Sequence, residues 1–383
     1  MRIGIDARFY GSLGKGLGRY TERLIESLEE LDTTHEFFVF LRHENFDEYQ
    51  PKSARFQKVL ADYHWYGLAE QLCFPWLLMK YRLTLVHFPH FNVPVLYPGR
   101  FVVTIHDLIL LRYPTVRNTT RLALGYWLKF VLYRLVIRLA CFRARSVITV
   151  SRFTESDLLR EFPFLLGKTR VTLEGANRSC FVSSVAKETE LLERFGLIDS
   201  DIATSSLSQR DIIQPYFLYV GNAYPHKHLE SIGEMAARFP EYRFVLVGRE
   251  DYFYRRLKRS FEQPNLRFTG FLSDAEISVR ERHGLAYVFP SLYEGFGLPP
   301  LEAMSHGLPV VSSDRGSLPE VLGKAALYFD PENPDQFAEE ISRVAHDPSL
   351  RERLKVSGYR RMRMFSWKRM AEETLAAYEQ AIR

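Results

Sequence analysis

Residues 287–311 read YVFPSLYEGFGLPPLEAMSHGLPVV, and the fold follows from how this stretch is punctuated. Tyr287, Val288 and Phe289 form a short apolar run that predicts a buried strand ending at Pro290. Gly295 and Gly297 mark a loop in which the backbone can come close to a ligand. Pro299 and Pro300 suit the first turn of a helix, where a missing N–H costs nothing. That helix runs through Leu301, Glu302, Ala303 and Met304 and stops near Gly307. The order of strand, loop and helix leaves amides free at a helix N-terminus, beside two carboxylates, Glu294 and Glu302. The amides and the helix dipole favour anions such as phosphate, and the carboxylates accept hydrogen bonds from sugar or ribose hydroxyls. The plainer alternative is a βα turn with two solvated glutamates.

The spacing Glu294–x7–Glu302 inside PSLYEGFGLPPLEAM resembles the signature of family 4 retaining glycosyltransferases. The resemblance covers nearly the whole chain and is specific in its second half. It implies an α/β protein of the GT-B fold, two Rossmann-like domains facing across a cleft. It also implies that Glu294 holds the transferred sugar, that Glu302 holds the nucleotide ribose, and that the amides of Phe296, Gly297 and Leu298 contact the donor.

At 383 residues, 46% hydrophobic and 14% aromatic, the chain has the length for about two globular domains, each with its own core. The expected division is an N-terminal acceptor domain at 1–178, a C-terminal nucleotide-sugar domain at 179–366 with a polar insertion at about 188–214, and a helix at 367–383. By resemblance, that helix crosses back to the first domain at Phe365-Ser366-Trp367. The opening MRIGID reads as a strand with no basic and apolar leader before it, so no secretory signal is expected. Cys73, Cys141 and Cys180 stand in no ligand spacing, which predicts a reducing compartment and no zinc site. The net charge of +5 is modest, so its distribution matters more than its size.

After the first strand, residues 11–20 (GSLGKGLGRY) form a glycine-rich loop leading into a helix over 20–31, a geometry able to cradle phosphate. The resemblance singles out Gly16 and Gly18 there. Further strands are expected at 35–42 and 83–88. The aromatics and leucines of residues 65–80 read as core or as an acceptor-side wall. Residues 101–108 (FVVTIHDL) predict a buried strand that delivers His106 and Asp107 to the C-terminal edge of the sheet, where ligands bind in open α/β folds. The resemblance implies that His106 touches the donor, with Asp107 orienting the loop or the histidine.

Residues 108–154 hold nine bases and no acid. A helix over about 121–145 turns by about 100° per residue, which puts Trp127, Arg134, Arg138 and Arg145 on one stripe. The stretch is too interrupted by charge to span a bilayer. A basic, aromatic-bearing face suits an anionic membrane surface or a lipid phosphate; a solvated half-buried helix is the alternative. No motif for nucleic acid accompanies the charge.

The second half restarts with a strand at 216–220 and GNAYPHKHLE, a second glycine-loop-helix opening. Lys227 there can meet a diphosphate as a point charge. The family's pattern places arginines where this chain has Asn222 and His226, while Lys227 is retained. Asp199–Ser200–Asp201 has the spacing of a metal-binding triplet but follows no strand, so no metal and no cofactor are expected.

TIHDLILLRYP and YVFPSLYEGFGLPPLEAM resemble bacterial mannosyltransferases of surface-polysaccharide, or O-antigen, assembly. The resemblance implies GDP-mannose as donor, a lipid-linked saccharide as acceptor, and a cytoplasmic enzyme peripheral to the inner face of the membrane. Other sugars stay open. So do two other classes, a nucleotide-sugar epimerase of the GT-B fold and a non-catalytic GT-B subunit.

Overall fold

The computed structural model describes residues 1–11, 15–114, 123–176, 185–197 and 214–383. The Asp199–Ser200–Asp201 triplet, Arg117, Arg121 and Cys180 lie outside these residues. The chain divides into one unit of Met1–Gly175 with Phe365–Arg383 and a second of Ala176–Met364.

The first unit is built on seven strands: β1 Arg2–Asp6, β2 Glu36–Leu41, β3 Phe56–Leu60, β4 Leu85–Phe88, β5 Phe101–Ile105, β6 Ser146–Thr149 and β7 Thr169–Val171. They pair in the order β3-β2-β1-β4-β5-β6-β7, with every ladder parallel. A parallel sheet carries crossover helices on both faces, so its central strands read as continuous apolar runs. FVVTI in β5 is buried at every position. The core joins Phe38, Phe40, Phe88, Phe101 and Val103 to Phe74, Leu78 and Ile137 from the covering helices. The helix Trp367–Ile382 packs in this unit against the helix Lys15–Glu29. Its Tyr378 hydroxyl lies 2.6 Å from His87 Nδ1, and His87 Nε2 lies 2.8 Å from Thr104 Oγ1.

The second unit has six strands: β8 Tyr216–Val220, β9 Arg243–Val247, β10 Leu266–Gly270, β11 Ala286–Phe289, β12 Val310–Ser313 and β13 Ala326–Phe329. Their order is β10-β9-β8-β11-β12-β13, again all parallel. The helix Asp274–His283 starts with the capping box of Ser273 and Glu276 that the sequence predicts.

Several expectations need correction. Strands β3 and β13 at the sheet edges were not anticipated: the half-exposed FQKVL of β3 carries no continuous apolar signal, and the ALYF of β13 is only four residues long. The first helix begins at Lys15, so Gly16 and Gly18 sit in its first turn and not in a loop. The polar segment at 188–214 is helical at its start, in the helix Val185–Arg194, whose Glu188 pairs with Arg282 and His283. Residues 65–80 form two short helices, Leu68–Leu72 and Phe74–Lys80, of which Phe74 and Leu78 are buried but Leu68, Leu72 and Trp76 are exposed. The basic helix ends at Arg143, because Arg145 N already donates to the Phe101 carbonyl at the start of β6.

Burial, and then the charge of His106, push the His87 pKa down to about 3. The unfolded chain takes up a proton at His87 near the ordinary value of about 6.5, whereas the folded chain resists until about 3. Stability from this group is therefore complete above about pH 6.5 and is lost as the pH falls toward 3. Urea midpoints should drop on acidification through this range, and His87→Gln should flatten that slope while lowering the midpoint near neutrality.

Candidate functional site

In the second unit the strand order reverses between β8 and β11, one leading outward to β9 and the other to β12. Ligands of open α/β sheets bind at such a switch point, beyond the C-terminal strand ends. The Tyr287 hydroxyl marks it: it donates to the Val220 carbonyl at 2.8 Å and accepts from the Val220 amide at 3.2 Å. In the sequence Tyr287 reads only as an apolar strand residue; its hydroxyl in a buried aromatic run is the signal for this role.

Two loops leave this point. The loop after β8 makes a turn at Pro225–Lys227, and His228 follows in the left-handed region at φ 52°. The loop after β11 carries Glu294. Lys227 Nζ donates to Glu294 Oε1 at 2.5 Å and lies 5.4 Å from the centre of the Phe289 ring. The two side chains are 14% and 9% exposed, so the pair is charge-assisted and mostly shielded from water. Leu292 N donates to the His226 carbonyl at 2.7 Å, which ties the two loops together.

A third loop fixes the carboxylate's backbone. Ser317 N donates to the Glu294 carbonyl at 3.1 Å, and Ser317 Oγ donates to the Phe296 carbonyl at 2.8 Å. Gly316, at φ +64°, packs so closely that a Cβ there would lie 2.7 Å from the Glu294 backbone nitrogen and oxygen. Gly297 takes φ 97° immediately before the helix Leu298–Ser305, a conformation suited to glycine. Phe296 and Gly297 are buried, and Leu298 and Glu302 are half-buried on that helix. Neither Asn222 nor His226 stands as a simple replacement for arginine. Asn222 Oδ1 accepts from Tyr224 N at 3.3 Å and shapes the local turn. His226 is buried, and burial with the charge of Lys227 lowers its pKa to about 4, so its ring is neutral near pH 7.

In the first unit β5 delivers His106 to the C-terminal edge. Its Nε2 lies 2.9 Å from the Pro89 carbonyl and its Nδ1 3.2 Å from Glu174 Oε1. Glu174 was not singled out from the sequence, since it lies beyond β7 in a stretch with no periodic pattern. Asp107 Oδ1 accepts from Ile109 N at 3.0 Å and so orients the following turn. Gly18 is buried where a side chain would collide with the carbonyls of Phe9 and Gly11, while Gly16 is exposed with open space around it. Gly18 therefore serves a close backbone approach. At the end of β1, Arg8 is fully buried between Asp6 and Glu70, at 2.7 Å from each.

The helix Ala123–Arg143 presents Trp127, Arg134 and Arg138 on the expected stripe, all exposed. Beside the stripe runs an exposed apolar arc of Leu128, Val131, Leu132, Leu135 and Phe142. The opposite face buries Ile137, Ala140 and Cys141. The charge is partly neutralised, because Arg134 donates to Glu161 at 3.2 Å and Arg112 pairs with Asp157 and Glu161. Arg143 is taken up by the carbonyls of Val95 and Tyr97. No helix of the described residues is long and apolar enough to cross a membrane.

Two family models match the chain, Glycosyltransferase Family 4 over residues 14–177 and Glycosyl transferases group 1 over residues 208–361. The chain is 27% identical to O-antigen chain mannosyltransferase B of Escherichia coli, over 95% of this chain and 96% of that protein. It is 23% identical to the O-antigen chain mannosyltransferase RfbU of Salmonella typhimurium, over 88% and 89% of the two chains. Among solved structures, a sucrose-phosphate synthase from Thermosynechococcus elongatus matches with a TM-score of 0.74 at 20% identity, covering 99% of this chain and 98% of that one. Anabaena HepE, solved with UDP and glucose, matches with a TM-score of 0.73 at 13% identity, covering 99% of each chain. The two parallel sheets, the matches to both halves and the full-length relatives agree: the chain belongs to the family 4 glycosyltransferases and has the GT-B fold.

Proposed function

We propose that the chain is a retaining, metal-independent mannosyltransferase that moves mannose from GDP-mannose to a lipid-linked saccharide in bacterial surface-polysaccharide assembly. The observation that carries this reading is the Lys227–Glu294 pair at the switch point, in a chain with full-length relatives named O-antigen mannosyltransferases. Transfer at an anomeric carbon needs the departing diphosphate stabilised more than it needs a strong base. Lys227 supplies a preorganised positive charge for that group. Glu294 accepts hydrogen bonds from sugar hydroxyls, and Glu302 from the ribose. Donor binding then exchanges one ion pair for two separate contacts, lysine to phosphate and glutamate to sugar. No side chain is assigned as a nucleophile; the acceptor hydroxyl attacks the face from which the diphosphate leaves, and the phosphate takes its proton.

The membrane belongs to the same reading. The apolar arc of Leu128, Val131, Leu132, Leu135 and Phe142 lies flat in the interface, flanked by Trp127 and Arg138, with Arg145 exposed nearby. Each base near an anionic leaflet contributes on the order of 1 kcal/mol, screened by salt. This gives reversible attachment that brings the protein to a lipid-borne acceptor.

Three outcomes are expected. Glu294→Gln should lower mannosyl transfer about a hundredfold or more, while calorimetric binding of bare GDP holds or tightens because Lys227 loses its competitor. A near-normal transfer rate in that variant would sink the assignment. Transfer should continue in excess chelator, and Asp199→Ala combined with Asp201→Ala should be close to neutral; activity abolished by chelator and restored by magnesium or manganese would overturn metal independence. Leu132→Glu with Leu135→Glu should release the protein from anionic vesicles in flotation assays, and Arg138→Glu with Arg145→Glu should weaken binding in a salt-dependent way. If the native protein ignores such vesicles, the helix is a solvated face.

A further inference from the structure

Both ring nitrogens of His106 face groups that only accept hydrogen bonds. Nε2 lies 2.9 Å from a backbone carbonyl, that of Pro89, and Nδ1 lies 3.2 Å from the carboxylate of Glu174. With Glu174 ionised, each nitrogen carries a proton, and a ring with both protons is an imidazolium. We propose that Glu174 is a positioning residue that holds His106 as an imidazolium across the working pH range, so that His106 acts as a fixed positive charge and not as a base.

The surroundings support this. Glu174 is buried with its side chain 6% exposed, and the His106 side chain is 19% exposed, so the pair is largely shielded while part of the His106 side chain stays at the surface. Burial works against the charge on His106, but the hydrogen bond and attraction of Glu174, helped by the Pro89 carbonyl and Asp107, outweigh it and raise the pKa above the ordinary value. The groups facing the ring from other elements do not compete for its protons. Tyr20 of the first helix meets it edge-on, with ring centres 4.6 Å apart. His87 on β4 is turned to the hydroxyls of Tyr378 and Thr104. His90, on the loop after β4, has its pKa lowered by burial and by the charge of His106. Thr154 Oγ1 donates to the His106 carbonyl at 3.2 Å and fixes the backbone from the next loop.

The consequence is chemical. A ring that already holds two protons cannot take one from an acceptor hydroxyl. With its two N–H groups committed to Pro89 and Glu174, it ties together the loops after β4, β5 and β7 and keeps a paired positive charge at that edge of the sheet. This rests on the reading that the chain transfers sugar from a diphosphate donor, although the charge state itself does not.

Nitrogen-15 NMR of histidine side chains reads that charge state directly, with the His106 signals assigned by their loss in His106→Asn. From about pH 7 to about pH 8, above the ordinary imidazole value near 6.5, native His106 should keep both nitrogens protonated. Glu174→Gln should deprotonate the ring within that range, and Glu174→Asp should restore the charge. In transfer assays the alkaline limb of kcat/KM should move at least about one pH unit lower in Glu174→Gln, with roughly tenfold loss near pH 8 recovered on acidification. A neutral His106 in the native protein near pH 7, or an unchanged charge state and pH profile in Glu174→Gln, overturns the proposal. If Glu174→Gln fails to fold, the native titration and Glu174→Asp decide. A native protein that shows the imidazolium but transfers no sugar refutes the function proposed above and leaves the Glu174 assignment standing.

Discussion

Strands β8 and β11 pair in parallel, Ala286 beside Phe217 and Tyr287 beside Leu218, and the site of the second unit depends on that pairing. Past this register the two strands hand their chains to different loops. The backbone of Val220 would lose its partners there, and the Tyr287 hydroxyl bonds both its amide and its carbonyl. A buried backbone group left unpaired costs about as much as a lost hydrogen bond, roughly 1–3 kcal/mol. The hydroxyl thus lets the sheet open without that penalty. Lys227 and Glu294 then emerge side by side, and their charges meet.

The same logic distinguishes the chain's buried charges. Arg8 has no exposure, and Asp6, Glu70 and the Tyr63 carbonyl occupy its donors, with Asn92 and the Tyr66 amide completing Glu70. Such a closed network holds the end of β1 in place and leaves nothing over for a ligand. The Lys227–Glu294 pair is built differently. Each member keeps some exposure, and the two are held mainly by one contact. Its exposure and its single contact are what the proposed exchange with a phosphate- and hydroxyl-bearing donor requires. His106 lies between these cases, internally paired yet partly exposed.

Much of this was legible from the sequence, and the failures have physical causes. Central strands such as FVVTI announce themselves because both faces are covered. The edge strand β3 does not, because solvent tolerates the polar Gln57 and Lys58 there, and β13 is a four-residue run too short to stand out. The two prolines and Gly297 placed the helix Leu298–Ser305 correctly. Gly18 misled, since a glycine needed for a close approach inside a helix reads like one needed for a loop, and Gly16 has open space around it. Arg145 was assigned to the helix stripe on periodicity alone, but the hydrogen bond of its amide to Phe101 commits it to the approach to β6.

The sequence by itself determined the two alternating α/β halves and the family resemblance, and it singled out Lys227, Glu294 and Glu302 as candidates. Those rest on local patterns, in which residues a few positions apart constrain one another. Only the tertiary structure decided the partners: Glu174 beside His106, Tyr378 beside His87, Glu161 beside Arg134, Ser317 beneath Glu294. Each pair joins elements distant in the chain, through a register and a packing that no local spacing encodes. Charge state and hydrogen-bond direction depend on those partners, so they become readable only once the chain has folded.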